Sequence, residues 1–305
     1  PITQDNTGVE YYATIFAVDE SPLQEGLIWV GSDDGLIHLT KDGGATWENV
    51  TPKKMPDWMM INSIDASSFD SGTAYIAGTR YKLGDFTPYL YVTDDYGKNW
   101  KLITDGIKDE HFTRVLRSDK VNKNILYAGT ETGMYISYDR GNSWNEFQKN
   151  LPIVPITDLT IKDNSLIVAT QGRSIWMIDD LTVFHQLTPS TDQIKLYKPK
   201  DSYRMGGAGG RKSLTAGTNL PNGAIIHYFI PNYSKENDQV SLSIHSSDGT
   251  LIKEFSDKSK ENLLKVKNGG NSFVWNMKYP GAKRLDNMVL WGADFSGAKA
   301  VPGNY

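Results

Sequence analysis

The sequence predicts an all-β protein, with four blades of a partial or small β-propeller followed by an immunoglobulin-like β-sandwich. The first observation is a motif of the form hydroxyl–x–Asp–x–Gly–x–(Thr/Asn/Ser)–Trp, which occurs three times with its tryptophans 53 and 44 residues apart. An internal period of that size is typical of repeat architectures. The second is a series of short β-rich runs bounded by Gly, Asp and Pro, with no sustained helical periodicity through residues 1–187.

Each residue of this motif suits a tight corner between two strands. The Asp carboxylate accepts hydrogen bonds from its own turn, and the Gly supplies a positive φ that other residues resist. The Trp begins the next strand and is expected to bury its ring against the neighbouring hairpin. The residues expected in these structural roles are Asp42, Gly44, Trp47, Asp95, Gly97, Trp100, Asp139, Gly141 and Trp144.

The strands of the four blades follow from the β-rich runs around these corners. Predicted strands of the first three blades are 14–18, 27–31, 36–40, 46–50, 61–66, 73–77, 89–93, 100–103, 112–116, 125–129, 133–137 and 143–147. The fourth blade is degenerate, with strands at 156–161, 165–169 and 174–178 and a last strand expected at 182–187. The second blade has extra length at 78–88, which we interpret as a loop.

The character of the sequence changes after residue 187. Prolines and a glycine run at 206–210 predict a linker over residues 188–223. Residues 224–305 predict the sandwich, with strands at 224–230, 240–245, 251–255, 272–277 and 289–293. We expect this sandwich to lack its last edge strand. The domain prediction is therefore 1–187 for four blades, 188–223 for the linker and 224–305 for the sandwich.

Composition narrows the functional classes. The chain has 32 basic and 36 acidic side chains, a net charge of −4, which argues against a nucleic-acid partner or an anionic membrane surface. It has no cysteine, so disulfides, thiolate metal sites and cysteine nucleophiles are excluded. The five histidines are scattered, which predicts no metal site, and no other cofactor is expected. No apolar run approaches the roughly 18 residues of a membrane span.

The corner motifs resemble the Asp-box of sialidases, sortilin-type propellers and related bacterial repeat proteins. Together with ATQGRSIWMIDDL at 169–181, PNGA at 221–224 and FVWNMKYPGA at 273–282, they resemble the C-terminal part of secreted bacterial proteins labelled sortilin-like or BNR-repeat "glycosyl hydrolase" proteins. The resemblance implies a multi-bladed propeller, an immunoglobulin-like module and an extracytoplasmic location: periplasmic, cell-surface or secreted. It also implies that the chain continues at both ends and that Asp-boxes are structural.

Two functional hypotheses follow. In the first, the chain is a non-catalytic binding or scaffolding fragment for a glycan or protein, which also contacts an upstream part of the same polypeptide or another propeller. Its ligand contacts would lie on the 78–88 loop, with exposed aromatics such as Trp58 available to stack on sugars. The candidate residues on this loop are Arg80, Tyr81, Lys82 and Phe86, and Arg114 and Arg173, at or near the inner ends of strands, are further candidates.

The alternative hypothesis is a xyloglucanase- or sialidase-like glycoside hydrolase. An enzyme of the xyloglucanase kind needs two carboxylates that face one cleft. Asp65 and Asp158 each lie in the first strand of a predicted blade, where side chains can line a central channel. This chain holds at most one propeller, so the cleft would need an upstream propeller that is absent from it.

Overall fold

The computed structural model describes residues 13–187, 192–204, 219–283, 287, 292 and 294–305. The chain divides into two compact units, residues 1–181 and 182–305. The glycine run at 206–210 lies outside the described residues, as does the predicted strand 289–293 apart from residue 292. In the described part of the chain, no helix has the length and apolar character needed to cross a membrane.

The described part of the first unit is all-β and contains four antiparallel sheets, each built from strands that are consecutive in the chain. The first sheet contains β1 (Ile15–Glu20), β2 (Ile28–Ser32), β3 (Ile37–Thr40) and β4 (Glu48–Asn49). The second contains β5 (Met60–Ala66), β6 (Ala74–Arg80), β7 (Asp85–Thr93) and β8 (Lys101–Leu102). The third contains β9 (Thr113–Ser118), β10 (Leu126–Thr130), β11 (Gly133–Ser137) and β12 (Asn145–Glu146). The fourth contains β13 (Ile156–Lys162), β14 (Ser165–Thr170) and β15 (Ile175–Ile178).

The four sheets pack in succession through their first strands. Strand β1 packs beside β5, β5 beside β9, and β9 beside β13. Because side chains alternate across a strand, each inner sheet contributes one face to the core before it and the other face to the core after it. In the second sheet, Ile64 and Ile76 pack toward Trp29 of the first sheet, whereas Tyr75 packs toward Leu116 of the third.

Two local predictions are wrong. Residues 182–187 do not form a fourth strand of the fourth sheet, because a 3-10 turn at Phe184–Gln186 replaces it. Residues 78–88 are not an open loop either: β6 and β7 continue through most of this segment and are joined by a 3-10 turn at Tyr81–Leu83. Gly84 ends that turn at φ +74°, a backbone conformation that glycine adopts without strain.

The described residues of the second unit form five strands in two sheets. The strands are β16 (Lys195–Leu196), β17 (Ala224–Ile230), β18 (Ser241–His245), β19 (Leu251–Ser256) and β20 (Gly269–Trp275). Strands β16, β17 and β20 form one sheet, and β18 and β19 form a hairpin. Ile226 and Ile230 of β17 share a core with Ile244 and Phe255 of the hairpin. Strand β16 falls inside the predicted linker and is followed by the buried Tyr197.

Candidate functional site

The three Asp-box corners are closed hydrogen-bond rings. In the first, Asp42 accepts bonds from the Thr40 hydroxyl at 2.7 Å, the Thr46 backbone N–H at 2.9 Å and the Thr46 hydroxyl at 2.6 Å. The Gly44 N–H donates to the Thr40 hydroxyl at 2.9 Å. The bonds from Thr46 lower the pKa of Asp42 to about 2. The carboxylate is therefore ionised, and both of its oxygens accept hydrogen bonds, which suits a structural role rather than a catalytic one.

The other two corners repeat this geometry. Asp95 is bonded by Asn99 and by the Thr93 hydroxyl, and these bonds lower its pKa. Asp139 is bonded by Ser143 and by the Ser137 hydroxyl. Partial burial of Asp139 opposes ionisation, but the bonds from Ser143 outweigh it, so its pKa is also lowered. Hydrogen bonds within each turn therefore hold the backbone conformation of all three corners.

The Asp-box tryptophans join one sheet to the sheet before it. The Trp100 indole N–H donates to the backbone oxygen of Val50 at 2.7 Å, and that of Trp144 donates to Ile103 at 2.7 Å. The prediction of ring burial is wrong for Trp47, which is 46% exposed. No described sheet precedes the first one, so this ring has no neighbouring hairpin to pack against.

The β6–β7 hairpin brings several predicted ligand-binding residues together. The Tyr81 ring stacks on Phe112 with centroids 5.4 Å apart, and the Phe86 ring lies 5.9 Å from Phe112. The Arg114 guanidinium lies 5.2 Å from the Phe112 centroid and 5.7 Å from that of Tyr81. Arg80 is fixed at the base of the hairpin by an ion pair with Asp85 at 2.6 Å. The sequence reasoning missed Phe112, whose buried ring supports the cluster.

The solvent-facing side of this cluster is an apolar surface with one cation. We call it the hairpin patch and define it as Trp58, Tyr81, Lys82, Leu83 and Phe86. Trp58, Leu83 and Phe86 are 45%, 40% and 46% exposed, and Lys82 forms no ion pair among the described residues. Trp58 adopts φ +60°, a strained backbone conformation of the kind that concentrates at functional sites. Trp58, Tyr81, Lys82 and Leu83 line a small crevice that the carboxylate residue Asp33 also lines.

Arg173 lies on a different sheet from the hairpin patch. It is exposed on the turn between β14 and β15, where its guanidinium donates to the neighbouring Gly172 carbonyl at 3.1 Å. Arg114 faces the patch but is paired with Glu131 at 2.6 Å. The structure therefore brings together Arg80, Tyr81, Phe86 and Arg114, places Lys82 at their edge, and locates Arg173 elsewhere.

The two candidate catalytic carboxylates have different environments. Asp65 is 4% exposed and accepts bonds from the Ser118 N–H at 2.9 Å and the Ser118 hydroxyl, while the Lys120 ammonium lies 3.5 Å away. Asp158 has a side chain 62% exposed and pairs with Arg117 at 2.9 Å. Asp65 therefore links β5 to β9, a structural position, and Asp158 is neutralised by a neighbouring sheet.

Asp65 is one of three equivalent residues that connect consecutive first strands. On β1, Asp19 accepts a bond from the Ala66 N–H at 2.6 Å, and burial raises the pKa of Asp19 despite this bond. On β9, the equivalent Arg117 donates to the Leu159 carbonyl at 2.9 Å. Sequence reasoning missed this series. Its signal is spacing: each of the three lies ten residues before a buried aromatic residue, which are Trp29, Tyr75 and Tyr127.

The described residues contain no group of three or more His, Asp and Glu side chains that is arranged to hold a metal ion. The candidate site consists of aromatic rings and ion pairs.

Comparison with known proteins gives one family. The Sortilin-Vps10 family model, described as "Sortilin, neurotensin receptor 3", matches residues 88–270, which is more than half of the chain. A search of curated proteins gives no match.

Similar solved structures include YCF48 bound to D1 peptide, at 20% identity over 55% of this chain and 52% of that chain, with a TM-score of 0.43. The GH74 xyloglucanase from Xanthomonas campestris is 16% identical over 70% of this chain and 36% of that chain, with a TM-score of 0.44. The Niastella koreensis GH74 enzyme is 15% identical over 70% of this chain and 27% of that chain, with a TM-score of 0.43. The chain thus spans about half of YCF48 and about a third of the GH74 proteins.

Proposed function

The chain belongs to the Sortilin-Vps10 family of propeller proteins, and we propose that it is a non-catalytic binding or scaffolding module. In this proposal its four sheets are propeller blades and its second unit is an immunoglobulin-like sandwich. The module acts outside the cytoplasm, in the periplasm, at the cell surface or after secretion. It recognises a glycan or a protein segment through the hairpin patch.

The observation that carries this proposal is the supported aromatic surface at the β6–β7 hairpin. Trp58 and Phe86 are 45% and 46% exposed, and an exposed aromatic ring can stack on a sugar or on an apolar side chain. The Phe112 ring lies 5.9 Å from that of Phe86, and the Arg80–Asp85 ion pair holds the hairpin base. A surface held rigid before binding loses less conformational entropy when the ligand docks.

Charge narrows the ligand class. Arg80 and Arg114 are each neutralised, by Asp85 and Glu131 respectively. Lys82 therefore remains as the unpaired cation of the hairpin patch. A nearly neutral, aromatic surface favours a neutral glycan or an apolar peptide segment over a strongly acidic polymer.

The hydrolase alternative has weaker support from the geometry. A glycosidase needs two carboxylates that reach the same glycosidic bond, roughly 5–10 Å apart. Asp65 is buried under its bonds to Ser118, and Asp158 is paired with Arg117. Asp65 is therefore not accessible to a substrate in this arrangement, and Asp158 would first have to leave its ion pair with Arg117.

A binding experiment with matched variants tests the proposal. The chain is assayed for retention on xyloglucan, β-glucans and sialosides, and against a displayed peptide library. We expect the double variant W58A/F86A to weaken binding by at least tenfold. F69A is the control, because Phe69 is a 41% exposed aromatic residue on the turn that leads from β5 to β6. It should bind like the unmodified protein.

Two results would contradict the proposal. If W58A/F86A binds like the unmodified protein, the ligand uses another surface. If reducing sugar is released, and D65A or D158A abolishes that release, the chain is a glycoside hydrolase.

A further inference from the structure

The second unit contains a cleft of about 560 Å³, a volume within the roughly 300–1,000 Å³ of pockets that bind small molecules. It belongs to the second unit alone, whereas the hairpin patch belongs to the first. We call it the sheet cleft and define it by residues that line it: Val183, Tyr197, His227, Phe229, Lys265 and Lys267.

The sheet cleft lies on the face of the sheet β16–β17–β20 that points away from the core. Strand β17 places three residues in the core, and His227 and Phe229 alternate with them, so they point to the other face. Their partners on β20 are Ser272 and Gly270, and directly paired residues share a face. A Cβ on Gly270 would meet no atom within 4 Å. Two small residues opposite two rings therefore leave open space on this face.

Hydrogen bonds hold two sides of the sheet cleft in place. The residues at either end of the 3-10 turn Phe184–Gln186 line it, and the Gln186 side chain donates to the Lys198 carbonyl at 3.0 Å and accepts the Lys198 N–H at 2.9 Å. The Asn271 side chain accepts the Lys267 N–H at 2.9 Å and donates to the Lys267 carbonyl at 2.8 Å. A site that is fixed before binding loses less conformational entropy when a ligand enters.

Two lysines give the sheet cleft a positive charge. The residues that alternate with them, Leu264 and Val266, pack in the core, and both Lys265 and Lys267 are exposed. Neither lysine forms an ion pair among the described residues, and none of the described residues that line the cleft is acidic. The whole chain has a net charge of −4, so this positive charge is a local feature that favours an anion.

We propose that the sheet cleft binds a small organic anion with an apolar body. The anionic group meets Lys265 and Lys267, and the apolar body lies against Val183, Tyr197 and Phe229. None of the described lining residues is an arginine, and a lysine ammonium is a point charge without the planar fork that selects carboxylates. The cleft therefore selects for charge and an apolar body rather than for one acid group. This ligand is additional to the one proposed for the hairpin patch.

Fluorescence titration with anilinonaphthalene sulfonate tests the proposal, because this probe has an aromatic body and a single sulfonate. We expect saturable binding at one site per chain. The variant K265Q/K267Q should weaken this binding by about fivefold or more, since it removes both cations of the cleft. The variant G270F places a ring in the open space and should weaken it by about tenfold or more. Gly270 does not have a positive φ, so this variant should keep the urea midpoint of the unmodified protein.

Two matched controls separate the sheet cleft from the rest of the surface. K200Q/K260Q removes the same charge from two exposed lysines of the second unit that do not line the cleft. G303F adds the same ring at another glycine with open space around it. Both control variants should bind the sulfonate like the unmodified protein. The uncharged analogue phenylnaphthylamine should bind K265Q/K267Q and the unmodified protein equally.

Salt dependence gives an answer that does not require any variant to fold. Raising the salt concentration from about 0.1 M to about 1 M shortens the Debye length from about 10 Å to about 3 Å. This change should weaken binding of the sulfonate relative to that of the uncharged analogue. Absence of saturable binding, or a sulfonate affinity that neither salt nor K265Q/K267Q changes, would overturn the proposal. Loss of binding in W58A/F86A would also overturn it, because the probe would then occupy the hairpin patch.

Discussion

The stability of the variant D65A tests whether the Asp65 carboxylate has a structural role. Ser118 is 2% exposed, and both its N–H and its hydroxyl donate to Asp65. The variant D65A leaves these buried donors without an acceptor, and each unsatisfied donor costs about 1–3 kcal/mol. The Lys120 side chain is 41% exposed and finds water instead. We therefore expect D65A to lower the free energy of unfolding by about 2–5 kcal/mol.

The assay is urea unfolding followed by tryptophan fluorescence. With a slope of about 2 kcal/mol per molar urea, the expected loss moves the midpoint down by about 1–2.5 M. D158A is the matched control: Asp158 also pairs across two sheets, but its side chain is 62% exposed. Exposed ion pairs contribute about 0–1 kcal/mol, so its midpoint should move by less than about 0.5 M.

The comparison of the two variants tests the structural interpretation of Asp65. If Asp65 is structural, D65A is destabilised much more than D158A. If D65A unfolds like the unmodified protein, the bond from β5 to β9 does not stabilise the unit and the structural interpretation of Asp65 is refuted.

Three further predictions concern the corners. W144F leaves the Ile103 carbonyl without its donor and should lower the free energy of unfolding by about 1–3 kcal/mol. W47F should change it by less than about 0.5 kcal/mol. Similar urea midpoints for both variants would contradict a stabilising role for the indole hydrogen bond. G97A places a Cβ 2.6 Å from Val50 at φ +79° and should lower the free energy of unfolding by about 2–4 kcal/mol. G43A, at φ +69° with open space around it, should lower it by only about 1–2 kcal/mol. Equal losses of stability in thermal unfolding would show that the contact with the preceding sheet does not contribute. The folded-state pKa of Asp42, about 2, lies below the ordinary value of about 3.9, so its stabilisation is present above about pH 4 and is lost as the pH falls through about 2. D42N should flatten the pH dependence of unfolding over this window, and an unchanged dependence would mean that the carboxylate is not held by Thr46.

The corners were predictable from sequence because each motif residue acts within its own turn. Asp42, Thr40 and Thr46 lie within six residues and close one ring, so the printed sequence contains all the participants. The family match agrees with the predicted sortilin-like propeller. Tryptophan burial was less predictable, because it depends on a neighbouring sheet. The second sheet packs against Trp144, whereas no described sheet packs against Trp47.

The candidate site was only partly predictable, because tertiary contacts decide it. The β6–β7 hairpin contains Gly78 and Gly84 and looked like a loop, yet pairing between Arg80 and Asp85 continues both strands. No pattern in the sequence predicts that Phe112, a residue of the next sheet, packs against Tyr81 and Phe86. Asp65 resembled a channel-lining carboxylate, and its role depends on Ser118, which lies 53 residues further along the chain.

The central claim is that the Asp-box tryptophans join each sheet to the one before it. Hydrogen exchange of the indole N–H groups, measured by NMR and assigned with single Trp→Phe variants, tests this claim most directly. In the isolated monomer we expect slow exchange at Trp100 and Trp144 and fast exchange at Trp47. Fast exchange at Trp100 and Trp144, or slow exchange at all three, would contradict it.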